Sequence, residues 1–100
     1  MVIYNVTVGI DSDIEQEWLH WVKVKHVPDV LATGLFTSNK IFRVLSGDED
    51  HISYSVQYYT ESLGNVERYL TEFAPKLIEE HNSRYKNKHV AFRTILEQVS

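Results

Sequence analysis

Apolar and polar residues alternate from Val2 to Ile10. Val2, Tyr4, Val6, Val8 and Ile10 fall on one side, and Ile3, Asn5, Thr7 and Gly9 on the other. A period of two rich in β-branched residues predicts a strand. Asp11-Ser12-Asp13 then breaks the pattern. Ser12 and Glu15 have the spacing of a capping box, in which each side chain satisfies a backbone N–H at a helix start. The period changes here to that of a helix. Ile14, Trp18, Trp21, Val22 and Lys25 share one face, with the Lys25 stem closing the apolar stripe. Pro28 disfavours α geometry at Val27, so this helix is expected to end or kink near His26. Pro28 then opens a short helical turn over Asp29 to Ala32. Gly34 suits a left-handed cap.

A second strand is expected over Leu35 to Leu45. Phe36, Phe42 and Val44 would lie on one face, and Leu35, Ile41 and Leu45 on the other. Ser46-Gly47-Asp48-Glu49-Asp50 reads as a polar turn. Ile52, Tyr54, Val56 and Tyr58 alternate with Ser53, Ser55, Gln57 and Tyr59 in a third strand, and the short connection implies an antiparallel hairpin. Ser62 is a plausible N-cap for a helix with the stripe Leu63, Val66, Tyr69, Leu70, Phe73 and Leu77. Pro75 lies inside that stripe and should kink it. Arg84, Lys86 and Lys88 gather at its end, where cations favour the helix dipole. Val90, Phe92, Thr94 and Leu96 alternate with Ala91, Arg93, Ile95 and Glu97 in a last strand.

The order βαββαβ predicts an α+β, ferredoxin-like fold with a four-stranded antiparallel sheet and two helices on one face. Right-handed crossovers put the first and third strands in the centre. The apolar central face is expected to meet the helices. The other face would carry Asn5, Thr7, Ser53, Ser55 and Gln57, together with large residues from the edge strands. A symmetric homodimer pairing two such faces would cover it.

The chain has 100 residues, enough for one domain, 1–100, and too few to bury much of its surface alone. That size also favours dimerisation. Its net charge of -4 argues against nucleic acid as a partner. It contains no cysteine, which removes disulfides, thiolate catalysis and cysteine-ligated metal. No apolar run reaches the roughly 18 residues of a membrane span. The N-terminus lacks a basic n-region, so a cytoplasmic location is expected and no membrane partner. The sequon Asn5-Val6-Thr7 lies in a predicted strand and is read as chance.

With these elements in place, Trp18, Trp21, His26 and Pro28 resemble the dimeric α/β-barrel superfamily. That group includes antibiotic-biosynthesis monooxygenase-like and EthD-like proteins. EthD-like members carry aromatics on the first helix followed by a His-x-Pro turn, as in His26-Val27-Pro28. Val22 departs from the pattern, since an aromatic is more usual there. Over nearly the whole chain, IYNVTVGID, HVPDVLATGLF, YSVQY and AFRT resemble a family of short bacterial proteins known only as a domain of unknown function. The resemblance implies a dimeric α/β barrel and carries no activity. Haem-degrading members of the superfamily use an asparagine on the first strand, a tryptophan before the second helix and a histidine on it. Asn5 and His81 hold comparable places, but the chain has no tryptophan beyond Trp21, so that set is incomplete.

Candidate chemistry is sparse. His26 is the candidate catalytic residue, a general acid or base at the mouth of a helix–sheet cleft. Its other reading is a helix-end histidine packed beside Pro28. Trp18 and Trp21 would wall a ligand site or simply fill the core. Asn5, Ser55 and Gln57, together with Thr7, Ser53, Tyr59 and Arg93, would hydrogen-bond a small ligand, with Asn5 orienting it, or serve a dimer interface. Asn5, Ser55 and Gln57 are also the expected partners of the indole N–H groups. His20, His26, His51, His81 and His89 show no close ligand spacing, so no metal is expected. Asp48, Glu49 and Asp50 lack the glycine and terminal glutamate of a calcium loop and read as a solvated turn. Arg84, Lys86, Lys88 and His89 form a small basic patch, read as a solvated helix end. There is no glycine-rich phosphate loop, nucleophile elbow or RNA-binding aromatic signature, and no cofactor is expected. The expected function is a small-molecule binding protein or cofactor-free enzyme with unknown reaction. The rival expectation is a non-catalytic structural or regulatory homodimer, or a protein-interaction module.

Overall fold

The computed structural model describes residues 1–47 and 51–100. Asp48, Glu49 and Asp50, in the expected polar turn, lie outside the described residues. Strands β1 (Val2–Ile10), β2 (Ser38–Arg43), β3 (Ile52–Thr60) and β4 (His89–Glu97) form one sheet in the order β2-β3-β1-β4. All three pairings are antiparallel. The α+β, ferredoxin-like arrangement expected from the sequence is thus the observed one, with β1 and β3 central. The helical segments are α1 (Glu15–Trp21), α2 (Val27–Leu31), α3 (Leu63–Glu72) and α4 (Ala74–Arg84). Among the described residues, no helix is long and apolar enough to cross a membrane.

All the helices cover the same face of the sheet. Val2, Tyr4, Val8 and Ile10 of β1 and Tyr54, Val56 and Tyr58 of β3 are buried beneath them, as the apolar alternation requires. The register pairs Tyr4 with Ile95, Val6 with Arg93 and Val8 with Ala91. Arg93 therefore points to the helix side. Phe92, Thr94 and Leu96 point to the uncovered side, with Asn5, Thr7, Ser55 and Gln57.

Several local expectations are corrected. Ser12 and Glu15 form no capping box: Ser12 begins a 3-10 turn, and the Glu15 carboxylate accepts a 2.6 Å bond from the Tyr54 hydroxyl. The first helix does not stop at His26. It widens into a π-helical turn over Val22–His26 and continues as α2, with the Val27 N–H bonded to the Val22 carbonyl. Pro28 explains this. In an α-helix the Val24 carbonyl would need the N–H that Pro28 lacks, and one extra residue in the turn moves the proline out of that position. The Lys25 ammonium pairs with Asp29 and lies 3.9 Å from Glu80.

Gly34, at φ 78°, ends α2 as expected. β2 is shorter than the apolar run. Leu35 and Phe36 precede it and are buried, Phe36 packing on Tyr4, Tyr58 and Tyr69 at centroid distances of 6.1, 5.5 and 5.1 Å. Ile41 opposite Val56 faces the helices, whereas Phe42 faces out at 47% exposure. Phe36 and Phe42 therefore do not share a face. Pro75 does interrupt the second helical run. Phe73 leaves helical geometry at φ -123° and Pro75 sits in the first turn of α4. Ser62 is the N-cap residue of α3, but its hydroxyl makes no capping bond.

Candidate functional site

Trp18 is 1% exposed and is held by one directional contact. Its Nε1 donates a 2.9 Å hydrogen bond to His81 Nε2 on α4. An indole nitrogen only donates, so His81 Nε2 must carry a lone pair. His81 is therefore a neutral imidazole with its proton on Nδ1. Its pKa is lowered to about 4, first by burial and then by the neighbouring His89 and His26. The expected indole partners Asn5, Ser55 and Gln57 play no part in this bond.

His26 ends the π-helical turn and is half-buried. Its ring stacks on Trp21 at 5.4 Å and 28°, and lies 5.9 Å from His81. Trp21 in turn is covered by the Arg84 guanidinium, 5.4 Å from its ring, and by Tyr85 at 5.6 Å. Burial lowers the His26 pKa. Glu80 and Asp29 oppose that, and Arg93 and Lys25 add to it. At neutral pH His26 is thus uncharged and able to act as a base.

Between the helices and the sheet lies a cavity of about 30 Å³. It has room for roughly two water molecules. Trp18, Val22, His26, Ile78 and His81 form its helix side, and Tyr4, Val56, Tyr58 and Arg93 part of its sheet side. Two buried polar atoms have no hydrogen-bond partner, His26 Nδ1 and the Tyr58 hydroxyl. Both residues line this cavity. A buried polar atom without a partner costs about 1–3 kcal/mol, so each would gain from a guest. Most lining side chains are buried, but Arg93 is exposed and Val6, His26, Ile78 and Ala91 are half-buried; Val6 pairs with Arg93, which places the mouth along edge strand β4. Burial also raises the pKa values of Tyr4, Tyr58 and Tyr69, so all three hydroxyls keep their protons.

The sequence-derived site residues fall into two groups. Trp18 and His26 meet at the cavity, and Trp21 backs His26 without lining it. Asn5, Ser55 and Gln57 lie on the opposite face of the sheet, so they cannot join Trp18 in one site. There they form a directional ladder. Tyr59 Oη donates to Gln57 Oε1 (2.7 Å), Gln57 Nε2 to Ser55 Oγ (3.2 Å) and Ser55 Oγ to Asn5 Oδ1 (2.6 Å). Asn5 Nδ2 donates to Thr7 Oγ1 and Thr94 Oγ1, both at 3.1 Å. Asn5 thus has both its amide hydrogens and its oxygen engaged.

The cavity residues that the sequence did not single out are Tyr58 and Tyr69; His81 entered only through the haem-degrading resemblance, and Arg93 was grouped with the polar set around Asn5, whereas it lies on the other side of the sheet. The signal for Arg93 was its place in the alternation Ala91, Arg93, Ile95, a cation on the covered parity of β4. The basic patch is largely neutralised: Arg84 bonds Glu17 at 2.7 Å and Lys88 bonds Asp13 at 3.1 Å. Among the described residues, no group of three or more potential metal ligands comes together.

The family model described as "Domain of unknown function (DUF4286)" matches residues 1–99, and the chain belongs to that family. No curated protein matches it in sequence. An EthD family protein from Bacillus halodurans C-125 shares its fold at a TM-score of 0.67 and 13% identity, covering 99% of this chain and 100% of that one. A DABB family protein with a ferredoxin-like fold from Mesorhizobium loti MAFF303099 aligns over 100% of both chains at a TM-score of 0.61 and 14% identity. At these identities the likeness concerns the fold alone. The same architecture, at a TM-score of 0.53 and 20% identity, is found in LFR1 1, a de novo designed protein with a ferredoxin fold.

Proposed function

We propose that this member of the DUF4286 family binds a small molecule in the cavity between α1 and the sheet, and that His26 exchanges a proton with it. One observation carries the proposal: two partnerless buried polar atoms, on His26 and Tyr58, line the same cavity beside Trp18. A filled core would leave no such pair. His26 is neutral at physiological pH and backed by Trp21, which fixes its ring. Trp18 and Val22 supply the apolar wall. Native mass spectrometry of gently purified protein tests the reading. Extra mass that disappears in the double variant His26→Gln, Tyr58→Phe supports it. Retention of the same mass by that variant, with native folding, removes the cavity as the site.

A second reading concerns the uncovered face of the sheet. Phe42, Val90, Phe92 and Leu96 are 44–62% exposed and flank the polar ladder centred on Asn5. An apolar rim of this extent is a natural contact for a second copy of the chain, and the ladder leaves few polar atoms needing water. A homodimer is expected in solution, and Phe92→Lys should give a folded monomer. A wild-type monomer by native mass spectrometry overturns this reading.

A further inference from the structure

We propose that the cavity's ligand is a small carboxylate anion, held by the Arg93 guanidinium at the mouth and the Tyr58 hydroxyl inside. This rests on the cavity being a binding site, and it adds the charge and chemical class of what enters.

The cavity is lined by permanent charge of one sign. Its lining contains one permanent cation, Arg93, and no aspartate or glutamate. Among the described residues, no carboxylate lies within ion-pair distance of Arg93, whereas Arg68, Arg84, Lys25 and Lys88 all have one. The Arg93 charge instead acts on Tyr4, Tyr69, His26 and His81. One cation thus reaches both ends of the cavity, the tyrosine end and the histidine end. A guanidinium presents five N–H donors in a planar fork matched to a carboxylate.

The second donor is the Tyr58 hydroxyl. It is 2% exposed, keeps its proton and has no acceptor in the protein. An anion in the cavity would meet the Tyr58 hydroxyl as a donor inside and the Arg93 charge at the mouth. His26 Nδ1 supplies a further donor when it carries a proton. The groups facing His26 are Glu80 and His81 from α4, Asp29 from α2, Lys25 from its own turn and Arg93 from β4. Adding an anion on the Arg93 side would favour the charged imidazolium, so binding should be accompanied by proton uptake. Size sets the remaining limit. A cavity of about 30 Å³ admits a formate-sized group, so a longer acid would place only its carboxylate inside.

The test uses sodium formate, with formamide as the neutral probe of the same heavy-atom count and sodium chloride at matched ionic strength. The readout is the NMR shift of the Trp18 indole N–H and of the His26 ring protons. Saturable shifts with formate, much weaker with formamide, are expected, and Arg93→Met should weaken formate about tenfold or more. Arg93→Lys keeps the charge without the fork and should retain part of the affinity. The spectral dispersion of each variant reports its folding. Equal response to formamide, or unchanged formate affinity in Arg93→Met, overturns the anion assignment while leaving the cavity as a site. No response to either probe removes both.

Discussion

His81 should make the protein acid-sensitive by an amount the structure sets. The folded state keeps this imidazole neutral because it is 7% exposed and accepts the Trp18 indole proton. Its pKa falls from 6.5 to about 4. The unfolded chain therefore takes up a proton near pH 6.5 and the folded chain does so only near pH 4. Above pH 6.5 both states are neutral and the stability is fully present. As the pH falls from there to about 4, the unfolded state is favoured progressively. Each pH unit between the two values is worth about 1.4 kcal/mol, so the whole loss is about 3 kcal/mol. His26 contributes in the same direction. The perturbation is His81→Gln, whose side-chain oxygen can accept the Trp18 N–H but does not titrate. Urea unfolding followed by tryptophan fluorescence between about pH 7.5 and 4.5 should show a markedly shallower loss of stability in the variant. Carboxylates titrate in both proteins and cancel in the comparison. An identical pH dependence in the two proteins, or an NMR titration showing folded His81 protonating near pH 6.5, refutes the reasoning.

Three further outcomes follow from the packing. Phe36→Ala removes a ring in contact with Tyr4, Tyr58 and Tyr69 and should cost about 3–5 kcal/mol in chemical denaturation, even though Phe36 lies outside every strand. Asn5→Ala strands Ser55 Oγ as a donor and frees both threonines, so a loss of about 1–3 kcal/mol is expected, with formate binding unchanged because Asn5 faces away from the cavity. Pro28→Ala restores the missing N–H and should let the π-helical turn relax toward α geometry. Altered His26 ring shifts would register the change, and an unchanged His26 environment would count against the account of Pro28.

What the sequence determined by itself is local. Alternation in Val2–Ile10 and Ile52–Thr60 gave both strands and the face that each buries, because neighbouring side chains in a strand must point oppositely. Pro75 and Gly34 marked a helix break and a helix end for reasons carried in their own backbones. Trp18 and His26 stood out because a covered helix face rarely needs an indole and an imidazole. Tertiary structure decided the rest. Register between β1 and β4 put Arg93 at the cavity and Phe92 on the uncovered face, and a shift of one residue would have exchanged them. Trp18 found its acceptor in His81, 63 positions away, which no local spacing encodes. The sheet itself divided the polar set, keeping Asn5, Ser55 and Gln57 on the far side from Trp18. A residue's chemistry can be read from its type, but its partners are fixed by non-local packing. A site built from three strands and two helical runs therefore becomes visible only once the chain is folded.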